Sequence, residues 1–212
     1  GLLMKINDNE VWVRLIGTFN AYNLLAIYGT AVELGLDYFE VLRLLSELES
    51  VSGRFQYIIS NEKITAIVDY AHTPDALENV LKTINDIRTK NEQLITIVGC
   101  GGDRDKAKRP IMANIASAMS DKTIITSDNP RTEKPEDIIA DMEQGVEPQN
   151  FKKTMSITDR KQAIQAACQM AQPNDIILIA GKGHETYQEI QGVRYDFDDM
   201  KIVKELLIQL NK

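Results

Sequence analysis

The hydrophobic and polar positions of this chain follow two different rhythms. Residues 1–20, "GLLMKINDNEVWVRLIGTFN", alternate in the manner of strands about an Asn7-Asp8-Asn9 turn, with no long apolar run nearby to pair with them, which reads as the edge of a larger sheet. Residues 19–34 and 37–48 then carry apolar side chains at helical spacing, separated by Gly35 and capped by Asp37, which predicts a helical pair. The small, polar "ESVSGRF" (49–55) interrupts the pattern, and a domain boundary is expected there, dividing residues 1–50 from 51–212.

From Arg54 onward, β-favouring runs alternate with amphipathic stretches. The runs are "FQYII" (55–59), "ITAIV" (64–68), "LITIV" (94–98), "TIIT" (123–126), "TMSI" (154–157) and "IILIA" (176–180), and helical patterns fall near 75–89, 110–119, 135–144 and 159–171. That alternation predicts the α/β class: a Rossmann-like, mostly parallel sheet with helices on both faces, preceded by a helix-rich segment. Hairpins are expected at 55–68, around Ser60-Asn61-Glu62, and at 187–197, around Gln191-Gly192; a last helix, 199–210, follows Asp198 as its cap.

Bulk properties narrow the function classes. The 212 residues carry a net charge of −7 with no basic run or aromatic-and-Arg stripe, which argues against nucleic acid as the main partner. Cys100 and Cys168 lie far apart without CxxC or His spacing, so they are read as structural thiols in a reducing cytosol. No apolar stretch approaches the roughly 20 residues of a membrane span, and the first residues lack a basic-then-apolar signal pattern. The expectation is a cytoplasmic protein without membrane insertion.

The candidate chemistry is positional. If the strands at 64–68, 94–98, 123–126 and 176–180 run parallel, their carboxyl ends share one edge of the sheet, where open α/β folds bind ligands. The four exits read "DYAHTPD" (69–75), "GCGGDRDKAKRP" (99–110), "SDNPRT" (127–132) and "GKGHET" (181–186), and they hold both histidines of the chain. Each has an ordinary alternative. Asp128-Asn129-Pro130 is common turn chemistry, yet Arg131 beside it adds a planar guanidinium that can bind a carboxylate while Asp128 takes an ammonium, which suits a zwitterionic amino acid. "GCGGDRDKAKRP" breaks the dinucleotide fingerprint, because Arg104 stands where the third glycine belongs; as a solvated charge run it is unremarkable, but Arg104 is a second candidate anion clamp. "GKGHE" lacks the full phosphate-loop pattern; Gly181 permits close backbone approach, Glu185 can take an ammonium, and His184 is open between a structural and a ligand role. In "DYAHTPD", Thr73-Pro74 starts a helix, leaving Asp69 and His72 as candidates toward a nucleotide.

Taken in order, "GTFNAYN", "GRF", "DYAHTPD", "GCGGDRDKAKRP", "DNPR" and "GKGHE" resemble the Mur ligases of peptidoglycan synthesis across nearly the whole chain, and "DNPR" resembles the motif of the diaminopimelate-adding branch. The resemblance implies an ATP- and Mg2+-dependent ligase of three domains, of which this chain holds the end of the central ATP-binding domain (1–50) and the C-terminal amino-acid-binding domain (51–212). It implies partners: ATP, meso-diaminopimelate, UDP-MurNAc-L-Ala-D-Glu, and the N-terminal and central domains of the same polypeptide. It further implies that Arg104, Asp128, Asn129, Pro130, Arg131, Gly181 and Glu185 bind diaminopimelate, while Asn20, Arg54, Asp69 and His72 bind the nucleotide. No residue here is assigned a reacting role or a metal. The family's phosphate loop and carbamylated lysine match nothing in these residues, so the chain alone is expected to be inactive. Rival readings are another amide ligase of the superfamily (L-lysine-adding, folylpolyglutamate or cyanophycin type), which "DNPR" with "GKGHE" counts against, and a stand-alone amino-acid-binding module.

Overall fold

The computed structural model describes all 212 residues and divides them into two compact units, Gly1–Val51 and Ser52–Lys212. In the first, Asn7 and Asp8 take positive φ (45° and 64°), a turn that Asn and Asp tolerate and that joins β1 (Leu2–Ile6) to β2 (Asn9–Val13) as an antiparallel hairpin. Two helices follow, α1 (Thr18–Glu33) and α2 (Tyr38–Glu47), the second capped by Asp37, whose carboxylate accepts from Glu40 N at 3.0 Å. The strands find a partner after all, though in helices rather than in another strand. Ile6, Val11 and Val13 close a small core with Leu24, Tyr28, Val41, Leu42 and Leu45.

The second unit is built on a six-stranded sheet in the order β3-β4-β8-β5-β6-β7. Its strands are β3 (Gln56–Ile59), β4 (Thr65–Asp69), β5 (Leu94–Cys100), β6 (Lys122–Ser127), β7 (Thr154–Ser156) and β8 (Ile176–Ala180). All pair in parallel except β3, which joins β4 antiparallel at one edge, so the predicted hairpin is part of the sheet. β5 is buried at all seven positions, as expected of a central strand covered on both faces. Period-2 alternation sorts its side chains. Ile95 and Ile97, with Ala66, Val68, Ile177 and Ile179, meet one helical layer. That layer is α6 (Arg160–Met170) and α7 (Asp199–Gln209), through Ala163, Ile164, Ala167, Val203 and Leu206. The other layer is α3 (Pro74–Ile87), α4 (Lys108–Met119) and α5 (Pro135–Glu143), which pack side by side in that order.

Local chemistry sets the helix starts. Thr73 Oγ1 accepts from Ala76 N (3.3 Å) with Pro74 at the first turn, and Asp159 and Asp198 cap α6 and α7 at 2.8 and 3.0 Å. One expectation moves: Pro110 does not open α4, which begins two residues earlier at Lys108. A proline in the first turn costs no hydrogen bond, because amides there have no partner within the helix. A 3-10 turn at Pro148–Lys153 and the exposed hairpin β9 (Tyr187–Ile190) and β10 (Val193–Asp196) complete the unit.

Candidate functional site

The sheet register brings the ends of four strands to one edge. Asp69 pairs with Ala180, and Cys100 with Ser127, so the loops after β4, β5, β6 and β8 leave from a common rim. Two of these loops interlock. Gly102 N donates to Asn129 O (2.9 Å), Arg131 Nη1 donates to Gly102 O (2.7 Å), and Asp103 accepts from Thr132 Oγ1 (2.6 Å).

Arg131 takes φ 51°, an uncommon conformation for a residue of its size. The β9 strand and the turn after it hold it there: Arg131 N donates to Glu189 O at 3.0 Å, and Gln191 N donates to Arg131 O at 2.7 Å. Gln188 Nε2 adds a bond to Asp128 O (2.7 Å). A Cβ placed on Gly101 would stand 2.8 Å from Arg131 Nη1 and 3.7 Å from Arg104 Cγ, so the two arginine side chains flank the same glycine. Arg104 is exposed, and its guanidinium touches only Asp103 O, at 3.3 Å. Pro130, buried, stacks its carbonyl against Gly102.

The acidic side of the rim is equally tight. Asn129 Nδ2 donates to Glu185 Oε2 (2.8 Å), and Asn129 Oδ1 accepts from Glu189 N (2.9 Å) and Lys182 Nζ (2.9 Å). Lys182 Nζ also reaches Glu185 Oε2 at 3.3 Å and Asp128 Oδ1 at 3.9 Å. Gly181 abuts Asp128: a Cβ there would lie 2.6 Å from Asp128 Oδ2. Six of the seven residues predicted for the amino acid are therefore linked by direct contacts, and Arg104 lies beside them.

The nucleotide set divides. Arg54 Cζ lies 4.6 Å from the Tyr70 ring centroid, His72 meets that ring edge-on at 4.5 Å, and His184 lies at 5.1 Å. His72 Nδ1 donates to Tyr70 O (2.8 Å), since a carbonyl can only accept, and Lys108 Nζ donates to His72 O (2.7 Å). His184 is exposed on this cluster rather than buried as a structural histidine. Asp69 is buried and accepts from Phe55 N at 2.7 Å, so it anchors the turn that carries Arg54. Burial pushes its carboxyl above the ordinary value, while the Phe55 and Ala71 amides and Arg54 pull the other way. Asn20 belongs to the first unit, where Nδ2 donates to Ile16 O at 2.7 Å.

Several residues that brace the site are not among the candidates singled out in the sequence. Lys182 is fully buried at the centre of the acidic half; its flanking glycines were the available signal. Arg109, also fully buried, forks onto Glu133 (2.8 and 3.0 Å) and reaches Asp141 (2.8 Å). Glu133 in turn accepts from Asp103 N (2.6 Å), bracing both interlocked loops from below, and its carboxyl is held down to about 2, mainly by Arg109. Beneath the end of β8, Arg160 and Asp199 form a fully buried pair at 2.7 and 2.9 Å, with Arg160 Nη2 also donating to Ala180 O. Cys100 and Cys168 are free and buried, and burial lifts both thiols to about 12, which leaves them inert. No three His, Cys, Asp or Glu side chains gather at metal-binding distance, and no helix is long and apolar enough to cross a membrane.

Fold and rim together define an open, doubly wound, Rossmann-like α/β domain with a charged cradle at its strand ends. The chain belongs to the Mur ligase family: residues 53–183 match the model described as Mur ligase, glutamate ligase domain. It is 58% identical over 212 residues to the UDP-N-acetylmuramoyl-L-alanyl-D-glutamate--2,6-diaminopimelate ligase of Cytophaga hutchinsonii, covering 100% of this chain and 43% of that protein. The ligase of the same name from Bacillus velezensis is 48% identical over 211 residues, covering 100% and 42%. A solved structure of a UDP-N-acetylmuramoyl-L-alanyl-D-glutamate--2,6-diaminopimelate ligase superimposes with a TM-score of 0.73 at 44% identity, over 96% of this chain and 41% of that one. UDP-N-acetylmuramate-alanine ligase from Thermotoga maritima shares the fold, with a TM-score of 0.66 at 20% identity over 95% and 40%. The chain spans less than half the length of these relatives.

Proposed function

We propose that this chain is the C-terminal part of an ATP-dependent ligase that adds meso-diaminopimelate to UDP-MurNAc-L-Ala-D-Glu in the cytoplasm, for peptidoglycan synthesis. Residues 1–50 are the end of its central domain and 51–212 its amino-acid-binding domain. One observation supports this reading above the rest: a guanidinium and two carboxylates from the loops after β6 and β8 converge within one hydrogen-bonded cradle closed by the Gly102 carbonyl of the loop after β5, with Arg131 on one side and Asp128, Asn129 and Glu185 on the other. A molecule with two carboxylates and two ammoniums complements both sides at once.

Arg131 and Arg104 take the distal carboxylate, Asp128 and Glu185 the ammoniums, and Gly181 with Pro130 shapes the wall. Arg54 over Tyr70, with His72 at the ring edge, fits the face of an adenine. Asp69 commits one oxygen to Phe55 N and offers its remaining acceptor capacity to a ribose hydroxyl. Bound ATP with Mg2+ supplies activation of the D-glutamyl γ-carboxyl group, and the magnesium ligands are assigned outside these residues. The contribution of this chain is orientation: it holds the amino acid so that the L-centre amine is the one presented for amide formation. Lysine lacks the distal carboxylate and would leave the arginines unpaired. By itself the chain is inactive.

The test is Arg131→Ala in the complete ligase. The KM for meso-diaminopimelate rises about 10- to 100-fold, corresponding to one charged hydrogen bond, while the KM for ATP stays within about twofold. Equal increases in both constants overturn the assignment.

A further inference from the structure

Lys182 is the one cation inside the acidic half of the cradle, and neither its motif nor its neighbours' roles account for it. Its side chain is 0% exposed. Gly181 (φ 120°) and Gly183 (φ 53°) bracket it in conformations that L side chains avoid, and these two turns point the lysine inward instead of along the rim. Gly183 could not be exchanged freely, since a Cβ there would lie 2.6 Å from Tyr70 Cβ and 2.7 Å from Gly53 O. The loop is therefore shaped to bury an ammonium, which is costly unless the ammonium is hydrogen-bonded.

The partners say what the burial achieves. Nζ donates to Asn129 Oδ1 (2.9 Å) and Glu185 Oε2 (3.3 Å) and lies 3.9 Å from Asp128 Oδ1. Because Lys182 and the Glu189 amide can only donate, both fix Asn129 Oδ1 as the inward atom, which turns Nδ2 onto Glu185 Oε2 at 2.8 Å. Glu185 Oε2 thus receives two donors, whereas no protein group donates to Oε1.

We propose that Lys182 is a positioning residue for the amino-acid substrate: by clamping Asn129 and one oxygen of Glu185 it presents the other Glu185 oxygen to the substrate's second ammonium. It touches the substrate's partners and not the substrate. Lys182 also offsets one of the two carboxylate charges that flank it, those of Asp128 and Glu185. This inference rests on the diaminopimelate reading above and deepens it, since it explains how the cradle recognises an amine that takes no part in bond formation.

The experiment uses the complete ligase with two amino acids, meso-diaminopimelate and 2-aminopimelate, which lacks the second amine. The parent enzyme prefers diaminopimelate in kcat/KM by about 10- to 100-fold, the value of one charged hydrogen bond. In Lys182→Met the diaminopimelate value falls by most of that factor, the 2-aminopimelate value changes less than about threefold, and the KM for ATP stays within about twofold. A merely structural lysine would depress both amino acids alike. Lys182→Gln, which keeps a donor without the charge, gives an intermediate preference and provides the same comparison should the Met variant fail to fold. Uniform loss across both amino acids, or an undiminished preference, overturns the role of Lys182. A parent enzyme that uses both amino acids equally also overturns it, because there is then no ammonium contact to position. Failure of the parent to use diaminopimelate at all refutes the parent reading instead.

Discussion

Glu133 carries a prediction that joins stability to the geometry of the rim. Its carboxylate, 18% exposed, receives the buried Arg109 fork, the Asp103 amide and Lys106 Nζ at 3.3 Å. Held down to about 2 from an ordinary 4.5, the group binds fewer protons in the folded state than in the unfolded chain. Stability therefore rises with pH across that interval, is fully present above about 4.5, and is lost as pH falls toward about 2. The full shift sets a ceiling of about 3 kcal/mol; solvent at the partly exposed carboxylate reduces this to ~2 kcal/mol. Glu133→Gln should be destabilised by that amount at pH 7 in urea denaturation followed by far-UV circular dichroism. The gap to the parent should close as the pH is lowered from about 5 to about 2.5. Taking the difference cancels the titration of every other carboxylate shared by the two proteins. A gap that stays constant over that range would refute the reasoning, because the loss would then stem from packing and not from the charge on Glu133.

Two further outcomes follow from buried charge. Asp69 has a raised carboxyl, so its folded state binds the extra proton and its contribution is lost as pH rises above the ordinary carboxylate value. Asp69→Asn, which keeps an acceptor for Phe55 N, should match or exceed the parent's stability at pH 7; a loss above about 1 kcal/mol in urea counts against it. Arg160→Met should cost about 3–5 kcal/mol by leaving Asp199 buried and unpaired, whereas combining it with Asp199→Leu should recover more than half, and strictly additive losses in a double-mutant cycle would contradict that.

The sequence by itself determined the order and kind of nearly every element. Strands with continuous apolar runs, such as Leu94–Val98, can only be central, and caps such as Asp37, Thr73 and Asp198 act within four residues, so both are legible locally. It also determined which exits carry chemistry, because the loops after four of the strands are rich in Gly, Asp, Arg and His. Tertiary structure decided the rest. Whether Val11 and Val13 meet a strand or a helix depends on what packs above them. The left-handed backbone of Arg131 is imposed by Glu189 and Gln191, some sixty residues further along the chain. Arg109 lies in what reads as a solvated charge run and Lys182 carries no signal of its own, because charge alone does not reveal burial; only the loops closing around Asn129, Glu185 and Glu133 supply the partners that make burial tolerable. Hydrophobic periodicity is a local property of the chain, whereas the pairing of buried charges depends on which distant segments the sheet brings together.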